Sequence, residues 1–159
     1  MNTHSTPRPF EMDDFPDGMW STKTKFRHGQ CDPAGIVYTP NFFDVFNRAI
    51  EEWFDDALRI PYQDVIGRRR IGLGYVAASA TFFAPFMMGD EAEVFVAVDK
   101  FGIKSYTLTV HLVKDQREAV RGTLTTVTTN LDTHQSTKIP DDILEALLTY
   151  AEAYIPDRD

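Results

Sequence analysis

The segment Asn41–Leu58 constrains this chain more than any other. Phe42, Phe43, Val45, Phe46, Ala49, Ile50, Trp53, Phe54 and Ala57 recur at steps of three and four, the spacing of a helix with one wide apolar face. A face that greasy has to be covered by other elements. Ile60-Pro61 ends the helix, because proline disfavours helical backbone in the residue before it. Pro61–Gly67 has room for one or two further turns. Beyond Ile71 the period drops to two. Strands are predicted over Leu73–Phe86, Ala92–Phe101, Ser105–Lys114 and Ala119–Asn130, separated by turn chemistry at Met88-Gly89-Asp90, Gly102 and Asp115-Gln116. A first strand is predicted over Trp20–Phe26, a polar loop over 132–138, and a last amphipathic helix from Pro140 to Tyr154 with acids in its first turn. This order describes an α+β fold in which an antiparallel sheet wraps around the long central helix.

The chain has 159 residues, enough for one domain with a sizeable core. Residues 1–19, with three prolines and an acidic cluster at Glu11, Asp13, Asp14 and Asp17, are predicted to be an N-terminal tail or loosely docked arm. Residues 20–159 are then the single domain. No apolar run approaches the ~20 residues of a membrane helix, and Met1–Met19 has no apolar signal segment. The one cysteine, Cys31, has no internal partner for a disulfide. A cytoplasmic location is therefore expected. A net charge of -8 argues against nucleic acid as partner, which calls for a basic footprint. No His/Cys cluster has metal-ligand spacing, so no metal is expected.

The stretch before the long helix carries the chemistry. Gln30-Cys31-Asp32-Pro33-Ala34-Gly35-Ile36-Val37-Tyr38-Thr39-Pro40 is a tight turn running into a helix start, with Thr39 as expected N-cap and Pro40 as first helical residue. Unpaired amides and the positive end of the helix dipole point back at the turn. A carboxylate, Asp32, stands just upstream.

Gly29-Gln30-Cys31-Asp32-Pro33-Ala34-Gly35-Ile36-Val37-Tyr38 followed by Pro40-Asn41-Phe42-Phe43, in this element order, resembles the hotdog-fold acyl-CoA thioesterases of the 4-hydroxybenzoyl-CoA thioesterase family. The resemblance spans roughly Ser21–Asp132. It implies a hotdog fold and hydrolysis of an acyl-CoA thioester to the acid and free coenzyme A. Asp32 would be the catalytic carboxylate, and backbone amides at Tyr38 and Thr39 would hold the oxyanion. Coenzyme A would enter only as part of the substrate, with no separate cofactor. The resemblance also implies a homodimer joined sheet edge to sheet edge, or a dimer of dimers (a homotetramer). The segment before Trp20 departs from the shorter members. Two other readings of such a chain are a hotdog hydratase or dehydratase, whose His-containing motif is absent, and a non-catalytic acyl-CoA or acyl-carrier binding module, which would not need Asp32.

Asp32 could attack the thioester to give a mixed anhydride or act as base on a water; the sequence leaves both open. An alkyl thiol of pKa ~8.5 leaves without much help from an acid. Secondary candidates are His28, Asn41, Glu51 and Glu52. Glu51 and Glu52 are the main rivals as catalytic carboxylates on the long helix, against a solvated helix face beside Arg48. Arg68-Arg69-Arg70, the densest basic run, and Lys104 are candidates for the coenzyme A phosphates.

Overall fold

The computed structural model describes residues 6–157. The elements are β1 (Ser21–Lys25), α1 (Asn41–Asp56), α2 (Tyr62–Gly67), β2 (Ile71–Phe82), β3 (Glu91–Phe101), β4 (Ser105–Lys114), β5 (Arg117–Asn130), β6 (Gln135–Ser136) and α3 (Asp141–Ala153). The sheet runs β1-β3-β4-β5-β2, with every neighbouring pair antiparallel, and β6 pairs with the end of β5.

The α+β reading holds. The sheet curls around α1, whose Phe42, Val45, Phe46, Ala49, Ile50, Trp53 and Phe54 are all buried. They pack against Val94, Val96, Leu108, Val110 and Leu124 from the sheet. Contact is tight at Gly122 on β5, where an added Cβ would lie 2.6 Å from the Phe46 ring. Only glycine lets the strand approach the helix that far. α3 closes one end of the core with Ile143, Leu147 and Tyr150. The Tyr150 hydroxyl donates to Val96 O at 2.8 Å and its ring meets Trp53 edge-on.

Several expected boundaries move. The helix stops at Asp56, with Ala57 as its C-cap. Thr39 is not the N-cap. Pro40 takes that position without a side-chain cap, and the Tyr38 and Thr39 carbonyls accept from Asn41 and Phe42 in tight turns. β2 ends at Phe82, four residues early, because the Phe83 and Ala84 amides both turn to Ala119 O (2.8 and 3.2 Å). β6 lies inside the expected polar loop; two residues are too few to show alternation.

Residues 1–5 of the expected tail lie outside the described residues. Residues 6–19 are a packed arm. Phe15 and Met19 are buried with Phe95, Ala97 and Val113 on the outer face of the sheet, and Phe15 stacks on Phe95 at 4.3 Å. The Met12 amide donates to Gln116 O, the Glu118 amide to Phe10 O, and the Asp157 amide to Asp14 O. Beneath the arm lie His111 and Glu118, 3% and 1% exposed. Glu118 accepts hydrogen bonds from His111, from Arg121 and from the Phe10 amide. Burial alone would raise the Glu118 carboxyl; the His111 and Arg121 hydrogen bonds outweigh it and hold it below its usual range. No helix of the described residues is long and apolar enough to cross a membrane.

Candidate active site

The sequence builds the Asp32 turn from its own side chain. Asp32 Oδ1 accepts from the Ala34 amide (2.8 Å) and the Ile36 amide (3.2 Å), an Asx-type turn that Asp before Pro favours. The backbone closes behind it, Gly35 N to Asp32 O and Asp32 N to Ile36 O. Gly35 sits at φ 78°, where a side chain would be strained. One carboxylate oxygen is thus anchored. Oδ2 accepts no hydrogen bond from the described residues, and the half-buried residue keeps a face to solvent.

The turn is stitched to its surroundings. The Val37 amide donates to Phe86 O and the Met88 amide to Gly35 O. The Met87 amide, and after it Lys114, hold the Asp90 carboxyl below its usual range, and Lys114 Nζ also donates to Pro85 O at 2.6 Å. The 85–90 segment is thereby pinned under the turn.

The two expected oxyanion amides differ. Tyr38 N–H is already paired with Gln30 O at 2.9 Å. Thr39 N–H is not. From Ala34 to Phe43 every other amide hydrogen has a partner in the chain or, at Pro40, does not exist. Asn41 Nδ2 donates to Gln30 O at 2.7 Å, so this side chain ties the helix start to the loop. Gln30, which the sequence did not single out, organises the helix entry through this doubly accepting carbonyl.

Beside Thr39 opens a cavity of about 300 Å³ lined by Ile36, Val37, Phe42 and the segment 82–86. Phe42 and Phe82 meet edge-on there at 5.5 Å. Its wall was missed because residues 83–86 read as strand; the one available signal was Pro85, which cannot donate to a ladder. The arrangement offers an anchored carboxylate, one unpaired amide at a helix start and an apolar slot.

Other expected residues lie elsewhere. His28 is exposed in a short turn. Glu51 and Glu52 are exposed on α1, ten and eleven residues past Asn41, or roughly 15 Å along the helix. Arg68, Arg69 and Arg70 face Asp64, Asp142 and Asp132. Bidentate contacts from Arg68 and Arg69 hold Asp64 and Asp142 below the usual carboxylate range. Lys104 Nζ donates to Ser136 Oγ at 3.3 Å. These cations stand at the Ile71 end of β2, and the Asp32 turn stands at the Phe82 end, roughly 35 Å of strand away. Among the described residues no three His, Cys, Asp or Glu side chains converge as a metal site.

The sequence profile of the thioesterase-like superfamily matches residues 26–147. This chain belongs to that superfamily. As a thioesterase, it is a thioester hydrolase with the hotdog architecture described above. A 1,4-dihydroxy-2-naphthoyl-CoA hydrolase of Prochlorococcus marinus subsp. pastoris is 25% identical over 128 residues, covering 76% of this chain and 83% of the relative. A solved gentisyl-coenzyme A thioesterase superposes with a TM-score of 0.74 at 25% identity, covering 80% of this chain and 99% of its own. A thioesterase-superfamily structure from Jannaschia sp. CCS1 reaches a TM-score of 0.78 at 24% identity, covering 85% and 94%. The span matched by the profile leaves out the whole N-terminal arm of this thioesterase.

Proposed function

We propose that this protein hydrolyses a hydroxylated aromatic acyl-CoA, with Asp32 as the catalytic carboxylate and Thr39 N–H as an oxyanion donor. The observation that carries the reading is the pairing of an anchored carboxylate with the one unpaired amide at the helix start, beside an aromatic-walled slot. Oδ2 either attacks the carbonyl carbon or takes a proton from water; Thr39 N–H stabilises the oxygen that becomes negative. The names of two relatives, a dihydroxynaphthoyl-CoA hydrolase and a gentisyl-coenzyme A thioesterase, support an acyl group that is aromatic and hydroxylated. Coenzyme A takes part only as substrate, no separate cofactor is used, and the enzyme works in the cytoplasm.

The test is thiol release from a panel of acyl-CoA thioesters: hydroxylated aryl, plain benzoyl and straight-chain. Hydroxylated aryl thioesters should give the highest kcat/KM. A straight-chain preference overturns the substrate class, and no release above background from any thioester overturns the activity.

We also propose a homodimer joined along β2. This edge strand has twelve residues and, among the described residues, no partner on its outer side, and Tyr75, Val76 and Phe82 are exposed along it. A long, apolar open edge invites pairing with a second copy. The arm already covers much of the outer sheet face, which disfavours a back-to-back tetramer through that face. Light scattering at micromolar concentration should report a dimer; a stable monomer overturns the proposal.

A further inference from the structure

The arm does more than cover the sheet. Just beyond the slot at Thr39 lies a second cavity of about 400 Å³. The two share Phe83 and Ala84 as a common wall. We read the two as one trough along the segment that leaves β2. Its far end is walled by Pro9 of the arm and by Lys114 and Arg117.

The fold sets this end up. Past Ala84, whose amide is the last to reach β5, arm residues 10–12 continue the edge, the Glu118 amide donating to Phe10 O and the Met12 amide to Gln116 O, with Glu11 bridged to Arg117. Lys114 and Arg117 are cross-strand partners around the Asp115-Gln116 turn, so both cations stand side by side. Lys114 is tied to Asp90 and Pro85 O, and Glu118 to His111 and Arg121. Asp115 is the remaining acid in the lining. Arg117 is held loosely: among the described residues its one ion pair is Glu11 at 3.4 Å, and both side chains are more than half exposed. A phosphate could displace that carboxylate at little cost.

We propose that this trough takes the non-acyl part of the thioester, and that Arg117, released from Glu11 of the arm, meets a phosphate of coenzyme A at its far end. This rests on the hydrolase reading above. Arg117 differs from Arg68 and Arg69 of the basic run, which are held by two-point contacts to Asp64 and Asp142.

The test compares one acyl group as its coenzyme A thioester and as its pantetheine thioester, which lacks the nucleotide and its phosphates. Arg117→Ala should raise KM for the coenzyme A thioester by about five- to tenfold, the loss of one charge-assisted contact. kcat should not change, nor should KM for the pantetheine thioester. Glu11→Gln breaks the same ion pair but frees Arg117, and should lower KM for the coenzyme A thioester. A merely structural role for the pair would move both variants the same way. Free coenzyme A, titrated by calorimetry, should bind more weakly to Arg117→Ala than to wild type. The inference is overturned if Arg117→Ala leaves both KM values and that binding unchanged, or if Arg69→Ala alone raises KM. A wild type that cleaves neither thioester overturns the hydrolase reading instead, and free coenzyme A binding then decides the Arg117 contact separately.

Discussion

Asp32→Asn is expected to lower kcat by at least ~10²-fold, the low end for removing a general base, with fold and assembly unchanged. The reason is visible in the turn. Oδ1 accepts the Ala34 and Ile36 amides, and the amide oxygen of asparagine can accept the same two. The variant therefore keeps the loop and changes only the outer atom. An anion that can attack carbon or take a proton becomes an NH2 group that can do neither. Thr39 N–H remains, so substrate should still bind and a residue of activity should survive. KM should change much less than kcat. Glu51→Gln and Glu52→Gln are the controls. They sit roughly 15 Å along α1 from its start and should cost little. A well-folded Asp32→Asn enzyme with most of its turnover, beside a dead Glu51→Gln or Glu52→Gln enzyme, would move the catalytic carboxylate to the helix.

Glu118→Ala should be the most destabilising single change outside the apolar core, at about 3–5 kcal/mol, as for breaking a buried ion pair by removing one partner. Glu118 is 1% exposed. Its removal strands His111 and the largely buried Arg121 guanidinium, and takes the acceptor from Phe10 N–H. At roughly 2–4 °C per kcal/mol for a chain of this size, Tm should fall by about 10 °C. The loss should reach the arm, seen as faster chymotrypsin cleavage after Phe10, whose amide donates to Glu118 at 3.0 Å.

The pH dependence has a definite sign. The Glu118 carboxyl is held below its ordinary value of 4.5 in the folded state. Its contribution is therefore complete above that ordinary value and fades as pH falls through the lower folded one. The Tm gap between wild type and Glu118→Gln should be widest near neutrality and narrow below pH 4.5. A gap independent of pH would mean that the charge of Glu118 contributes nothing. An unchanged Tm at neutral pH would mean that the cluster is not holding the arm.

What the sequence determined by itself was local. The three-and-four spacing of Asn41–Leu58 required a wrapped helix, and the period-two runs after Ile71 supplied the wrap. Asp32-Pro33-Ala34-Gly35 wrote its own turn, because Asp Oδ1 reaches amides two and four residues on. Such features depend on neighbours in the chain, so they are legible without a structure. Partner choice is not local, and only the tertiary structure decided it. Tyr38 and Thr39 look alike as oxyanion donors until Gln30 O is seen to take one of them. The arginine run reads as three free cations in sequence, whereas in the fold Arg69 meets Asp142, 73 residues away. The segment reads as a tail or loosely docked arm because its prolines break regular structure and its acids favour water, while Phe10, Phe15 and Met19 find their partners on β3, β4 and β5. Hydrogen bonds and ion pairs are made by whichever groups the fold brings within about 3 Å, and for these groups the curl of the sheet, set by long-range pairing, made that choice.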